Sequence, residues 1–140
     1  MKQQTHAVGI ALYENNSILL VRHTALARLP TGSYGFPAGR VNEGESSLEA
    51  GVRELQEETG LITSPDYLSL LLQKISRMSM KEGIEEFMFT LYRCVHYAGQ
   101  LRASEKTVPE FVPLSRLDDI LMVSPDVKEI ARGYQNTSYP

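Results

Sequence analysis

The chain has 140 residues, of which 42% are hydrophobic and 22% are charged, and its formal net charge at pH 7 is −3. This length suits one domain with a substantial core, and the composition is that of a globular protein rather than a disordered or fibrous one. The small negative charge lacks the basic footprint of proteins that bind nucleic acid polymers, so we expect no such partner. We therefore expect one domain over residues 1–140.

The single cysteine, Cys94, excludes an internal disulfide bond and is typical of a protein from a reducing compartment. Three polar residues, Glu14, Asn15 and Asn16, interrupt the apolar N-terminal stretch, so we predict no signal peptide. No apolar stretch approaches the roughly 20 residues that a membrane span requires. These features predict a cytoplasmic protein without a membrane partner, either a monomer or a homodimer.

The first elements are two short, apolar stretches rich in β-branched residues, His6–Tyr13 and Ser17–Arg22. The polar residues between them predict a hairpin turn that joins two strands. The next segment, Thr24–Gly44, is rich in glycine and proline, which excludes regular structure over most of its length. A loop of this length in a compact domain is usually functional.

A helix is predicted after this loop, over about Glu49 to Thr59. Its apolar residues recur at helical spacing, and they are Leu48, Val52 and Leu55. Either Ser46 or Ser47 can cap its first turn, and Gly60 can end it.

The remaining chain predicts further strands and two closing helices. Tyr67–Ile75 and Ile84–Val95 have the pattern of two long, adjacent strands, and Glu110–Leu114 that of a short one. Leu117–Met122 and Asp126–Tyr134 have the pattern of helices. Strands therefore dominate around one strong central helix, which favours an α+β fold.

Glu54, Glu57 and Glu58 share one face of the predicted helix, opposite its apolar residues. Like charges at this spacing repel each other, and hard divalent cations relieve that repulsion because they prefer oxygen ligands. Mg²⁺ commonly completes its coordination with substrate phosphates, so the cluster is compatible with phosphate chemistry. On these three residues alone, a solvated acidic helix face is the favoured interpretation.

The residues around this cluster fit a longer pattern of fixed spacing. Its nine specified positions are Gly39, Glu45, Arg53, Glu54, Leu55, Glu57, Glu58, Gly60 and Leu61. The segment, GRVNEGESSLEAGVRELQEETGL, resembles the signature of the Nudix hydrolase family. The resemblance implies an α/β/α sandwich around a mixed β-sheet, with a loop–helix–loop catalytic motif. It also implies hydrolysis of a diphosphate bond in a nucleoside diphosphate linked to another moiety, with Mg²⁺ or Mn²⁺ as cofactor.

The resemblance assigns roles to individual residues. The implied metal ligands are Glu54, Glu57, Glu58, the backbone oxygen of Ala38, and Glu105 from outside the motif. The implied catalytic residues are Arg53, Glu54, Glu57 and Glu105. The structural residues of the motif are Gly39, Glu45 and Gly60, with Glu45 expected to pair with Arg53. Glu85, Glu86 and Glu110 are alternatives to Glu105.

The substrate is expected to be a small nucleotide, such as a nucleoside triphosphate or an ADP-ribose-like compound. Arg22, Arg40 and Tyr34 are the candidate substrate-binding residues, whereas a solvated surface position is expected for His23 and Arg28. Position 77 is arginine, so the proline or tyrosine that marks some subfamilies is missing. Two other functions stay open: a nucleotide-binding sensor without catalysis, and an isomerase of prenyl diphosphates, which would need a catalytic cysteine in a loop.

Overall fold

A computed structural model describes residues 5–136 of the chain. Its strands are β1 Thr5–Ala11, β2 Tyr13–Glu14, β3 Ser17–His23, β4 Tyr34–Gly35, β5 Ala38–Arg40, β6 Leu68–Met80, β7 Gly83–Cys94 and β8 Thr107–Pro113. Its α-helices are α1 Ser47–Thr59 and α2 Pro125–Gly133, and two short 3₁₀ helices cover Pro65–Tyr67 and Leu114–Asp119. Neither α-helix in this range is long and apolar enough to cross a bilayer.

The strands form two sheets. The first has the order β5-β1-β7-β6, in which β1 and β7 are parallel and the other pairs are antiparallel. In the second, β3 pairs with β8 along one edge and with the short β2 and β4 along the other. Helix α1 packs against one face of the first sheet and α2 against the other, with a core on each side. The predicted sandwich around a mixed sheet is confirmed.

The predicted hairpin turn before the second long strand is confirmed, but most of the first long strand does not pair with the second. Strand β1 lies in the first sheet and β3 in the second, and only the two residues of β2 form a hairpin with β3. Its turn uses Asn15 and Asn16, which have φ angles of 49° and 62°. Val8, Ile10 and Ala11 are fully buried on both faces of β1. Such a strand belongs inside a sheet, where β5 and β7 occupy both of its edges.

Helix α1 begins at Ser47, two residues before the predicted start, and its predicted caps and its predicted last residue, Thr59, are confirmed. Ser46 caps its first turn by accepting a hydrogen bond from the Glu49 backbone amide, and the Glu49 side chain bonds the Ser46 amide in return. Gly60 ends the helix in the left-handed conformation, with a φ angle of 84°. Gly51 allows the helix to approach the sheet closely, because a Cβ atom there would lie 3.1 Å from the Ile10 side chain.

The segment predicted as a helix over Leu117–Met122 is also different. A short 3₁₀ helix occupies Leu114–Asp119, directly after β8, and a turn follows at Leu121 and Met122. Met122 accepts a hydrogen bond from the Tyr34 amide, and Val123 forms a parallel bridge with Tyr34. Pairing with the strand β4 therefore takes the place of the final helical turn.

Removal of the helix cap tests how much α1 depends on its first turn. Ser46→Ala removes one acceptor of the capping box and should lower the free energy of unfolding by about 1 kcal/mol. Glu49→Gln is the matched control, because glutamine can serve at the same position of a capping box. Chemical denaturation measures both variants, and equal stability of Ser46→Ala and the unmutated protein would contradict this role.

Candidate metal-binding and catalytic site

The three glutamates of α1 lie at the open edge of β5. Glu58 Oε1 accepts a hydrogen bond of 2.6 Å from the backbone amide of Ala38. Glu54 is only 9% exposed, whereas Glu57 is largely exposed to solvent. The sequence predicted three carboxylates on one helix face, opposite the apolar residues, and only Glu57 of these is largely exposed to solvent. The other two are pressed against the backbone of a neighbouring strand.

Gly39 makes this close approach possible. A Cβ atom at position 39 would overlap with the carboxyl group of Glu54. Gly39 also pairs with Val8 of β1, which keeps the strand in register next to the helix. The φ angle of Gly39 is not positive, so backbone conformation does not require glycine here. Glycine is required because a side chain would occupy the space of the Glu54 carboxyl group.

Arg53 connects the glutamates to the loop before the helix. Its guanidinium donates to both carboxylate oxygens of Glu45, at 2.8 and 2.9 Å. It also donates to Glu54 at 2.7 Å, to Glu57 at 3.1 Å and to the carbonyl oxygen of Arg40 at 2.9 Å. The predicted pair between Glu45 and Arg53 is confirmed, and the same guanidinium is the counter-charge of two further glutamates, Glu54 and Glu57.

The surroundings shift the pKa values of these carboxyl groups in opposite directions. The hydrogen bonds from Arg53, followed by that from the Asn42 amide, lower the pKa of Glu45 to about 2. Burial raises the pKa of Glu54, although Arg53 opposes this effect. Burial also raises the pKa of Glu58 to about 8, against the stabilising hydrogen bond from Ala38. The charged form of Glu58 is therefore costly unless a cation lies nearby.

These side chains have the right chemistry for a hard divalent cation, namely carboxylate oxygens in a partly buried setting beside a strand edge. Across residues 5–136, no three acidic, histidine or cysteine side chains already surround one common point. Arg53 instead bonds Glu54 and Glu57. The donor set thus fits a metal, while the arginine neutralises part of the cluster.

Glu105 lies in the segment that leads into β8, close to the C-terminal end of α1. Two residues further, the Thr107 hydroxyl donates to the carbonyl oxygen of Glu58 at 2.9 Å. The Glu105 carbonyl oxygen accepts a bond from Thr24, and its carboxylate takes part in none of the hydrogen bonds or ion pairs described within residues 5–136. Its role as ligand or base stays a prediction.

The alternatives to Glu105 have other surroundings. Glu85 forms ion pairs with Arg28 and Arg40, and Glu86 forms one with Arg77. Glu110 is exposed on β8, opposite Leu20 of β3. Both glutamates of β7 are therefore engaged by arginines.

The candidate substrate-binding residues lie on two elements. Arg22 and Tyr34 are direct neighbours across β3 and β4, where Arg22 is exposed and Tyr34 packs partly into the core. Arg40 ends β5 and contacts Glu85 through its guanidinium. The structure places Arg22 next to Tyr34. It places Arg40 apart from them, in an ion pair with Glu85 that the sequence did not predict.

The solvated position expected for His23 is wrong. His23 is 6% exposed, and its Nδ1 atom lies 2.8 Å from the Ser33 carbonyl oxygen. Burial lowers the pKa of this imidazole. The reason is strand alternation, since His23 follows Leu19 and Val21 on the same face of β3. The bond to Ser33 closes the base of the loop between β3 and β4.

Comparison with known proteins identifies the family. The family model of the NUDIX domain matches residues 3–134, and the chain belongs to this family. It is 43% identical over 70 residues to an Escherichia coli (strain K12) protein named 8-oxo-dGTP diphosphatase. That match covers 50% of this chain and 52% of the relative, so the chain aligns with about half of its length.

Two solved structures have the same fold. The MutT NUDIX hydrolase from Burkholderia pseudomallei has a TM-score of 0.74 and 23% identity, over 94% of this chain and 98% of that one. The NUDIX domain of Shewanella oneidensis NrtR, solved with ADP ribose, has a TM-score of 0.72 and 20% identity, over 94% of this chain and 86% of that one. At these identities the likeness concerns the fold.

The pKa of Glu58 predicts how the stability of the metal-free protein depends on pH. A raised carboxyl pKa means that the folded protein holds the proton more tightly than the unfolded chain. This contribution to stability is complete below the ordinary value of 4.5 and is lost as the pH rises to about 8. Glu58→Gln should flatten that decline in a series of thermal melts with a chelator present.

Glu57→Gln is the matched control, because Glu57 is exposed and lies on the same helix face. It should retain the decline of the unmutated protein. An equal slope in Glu58→Gln and in the unmutated protein would contradict the buried, protonated state of Glu58.

Proposed function

We propose that the protein hydrolyses a diphosphate bond in a nucleoside triphosphate or a related nucleoside diphosphate compound, with Mg²⁺ or Mn²⁺. The observation that carries this proposal is the position of two glutamates against β5, where Glu54 is buried, Glu58 is partly buried and Gly39 leaves room for a carboxyl group. Burial of two like charges is unfavourable for stability alone. A bound cation would offset this cost, whereas a merely solvated acidic face gives no reason to bury these carboxyl groups.

Glu54, Glu57, Glu58 and the carbonyl oxygen of Ala38 would hold the metal. When bound, such a metal neutralises phosphate oxygens and acidifies water. Arg53 bonds Glu54 and Glu57 from one side and so limits how far these carboxylates can move when the metal binds. Burial raises the pKa of Glu54, which favours this residue as the acceptor of a proton from the attacking water.

The substrate class rests on the relative from Escherichia coli. That relative is named for 8-oxo-dGTP, an oxidised purine nucleoside triphosphate, and it is 43% identical over 70 residues. This similarity supports a nucleoside triphosphate as the substrate, with an oxidised purine base as the first one to test. Arg22 and Tyr34 would bind it next to the metal. The complex of a fold neighbour with ADP ribose makes an ADP-ribose-like compound the second candidate.

Single glutamate-to-glutamine changes test this mechanism. Glu57→Gln removes one ligand charge and should weaken Mg²⁺ binding and lower turnover together. Glu54→Gln removes the proposed base, which is typically worth about 10²- to 10⁴-fold in kcat. Glu105→Gln separates the alternatives, because a loss of that size assigns it a catalytic role and an unchanged kcat leaves the role with Glu54. Steady-state kinetics at limiting Mg²⁺ gives all three values.

Glu49→Gln is the control for loss of a negative charge on the same helix, and it should keep full activity. The screen covers nucleoside triphosphates, their oxidised forms, ADP-ribose and dinucleoside polyphosphates. Binding of these compounds with Mg²⁺ or Mn²⁺ but without any product would overturn the proposal and favour a sensor.

A further inference from the structure

Two arginines from different parts of the chain share one carboxylate next to the glutamate site. Arg40 Nη2 lies 2.6 Å from Glu85 Oε1, and Arg28 Nη2 lies 3.1 Å from Glu85 Oε2. The three residues belong to β5, to the loop between β3 and β4, and to β7. Both arginine side chains are about half exposed, at 52% and 48%, so their remaining N–H groups are open to a ligand.

This group has an excess of positive charge. Two guanidinium groups face one carboxylate, and Lys81 at the tip of the β6–β7 hairpin adds a third cation. Even with Glu82 of the same turn included, one net positive charge is left. Lys81 also fixes the loop, because its amide donates to the Arg28 carbonyl oxygen and its Nζ atom to the Ala25 carbonyl oxygen, both at 2.9 Å.

Arg40 lies at the open edge of β5 next to the glutamate cluster, because its carbonyl oxygen accepts a hydrogen bond of 2.9 Å from Arg53, and Glu85 links Arg28 to it. Arg40 is two residues from Ala38, which corresponds to about 7 Å of strand, and the Ala38 amide bonds Glu58. Because strand residues alternate, Gly39 faces α1 and Arg40 faces the other side of the sheet. Glu85 lies on that side too, four residues before Phe89, which contacts the position of Gly9. A polyphosphate held at the glutamates could therefore cross the edge of β5 and reach Arg40.

We propose that Arg28 and Arg40, held by Glu85, form an anion subsite for a third phosphate of the substrate, beyond the diphosphate at the metal. The inference rests on the proposed function and deepens it, because it makes a triphosphate the preferred class. Arginine suits this role, since its planar fork matches phosphate oxygens and always carries its charge. A nucleoside diphosphate linked to a neutral sugar offers no third phosphate to this subsite.

The alternative is that the ion pairs only tie the loop to the sheet. In that case a change at Arg28 or Arg40 would affect all ligands alike. A selective effect on ligands with three phosphates separates the two interpretations. The test can be made without a nucleoside and without turnover, using inorganic tripolyphosphate and pyrophosphate in the presence of Mg²⁺.

Calorimetric titration of the full chain gives the affinity of both ligands. The unmutated protein should bind tripolyphosphate about 10-fold more tightly than pyrophosphate, as expected for one charge-assisted contact. The double variant Arg28→Gln/Arg40→Gln should lose this preference while its affinity for pyrophosphate changes little. Arg28→Gln alone should lose part of it, which keeps the test valid if the double variant is unstable.

Arg77→Gln is the matched control. Arg77 forms an ion pair with Glu86, its neighbour across the β6–β7 hairpin. Since Glu86 directly follows Glu85 on β7, this pair lies on the opposite face of the sheet. This variant should keep the full preference for tripolyphosphate. Equal loss of both ligands in the double variant, or a preference that survives in it, would overturn the subsite.

The binding test of the subsite and the activity test of the proposed function can fail independently of each other. A preference for tripolyphosphate that depends on Arg28 and Arg40 supports the subsite even if no substrate is hydrolysed. Hydrolysis of a nucleoside triphosphate with an unchanged KM in the double variant overturns the subsite and leaves the proposed function standing.

Discussion

The site depends on one electrostatic constraint, the burial of two carboxyl groups against a strand that follows a loop. Glu54 and Glu58 repel each other, and burial raises the pKa of both. The surrounding residues moderate this cost in different ways. The Ala38 amide donates to Glu58, Arg53 donates to Glu54, and the missing side chain of Gly39 provides the space. These contacts compensate only part of the negative charge of Glu54 and Glu58, and a divalent cation would compensate the rest.

The fold holds these charges together because helix α1 and strand β5 are each fixed by contacts outside the site. Helix α1 buries Ala50 and Leu55 in the core below it, so its acidic side cannot turn away from β5. Strand β1 is buried on both faces and fixes β5 along one edge, which leaves the other edge free for Glu58. From the opposite side, Thr107 ties β8 to the end of the helix.

Local sequence patterns were sufficient for the helix, its caps, its acidic residues and the two long strands, because each depends on residues that are near in sequence. The burial of Glu54 depends on β5 and could not be read from helical spacing. Glu85 lies 57 positions from Arg28 and 45 positions from Arg40 in the sequence, so no short motif could predict that the three residues meet. The pairing of the first long strand was wrongly predicted for a similar reason, since β1 pairs with a strand about 80 residues later in the sequence.

The most direct test of this account is the position of a bound Mn²⁺ ion in crystals of the protein, found by its anomalous scattering. The account predicts the strongest peak beside the carboxylates of Glu54, Glu57 and Glu58, at about 2–2.5 Å from their oxygens. The ion should take over the place of Arg53 as the main counter-charge of Glu57. A strongest peak elsewhere, or no peak at these glutamates at saturating Mn²⁺, would contradict the central claim.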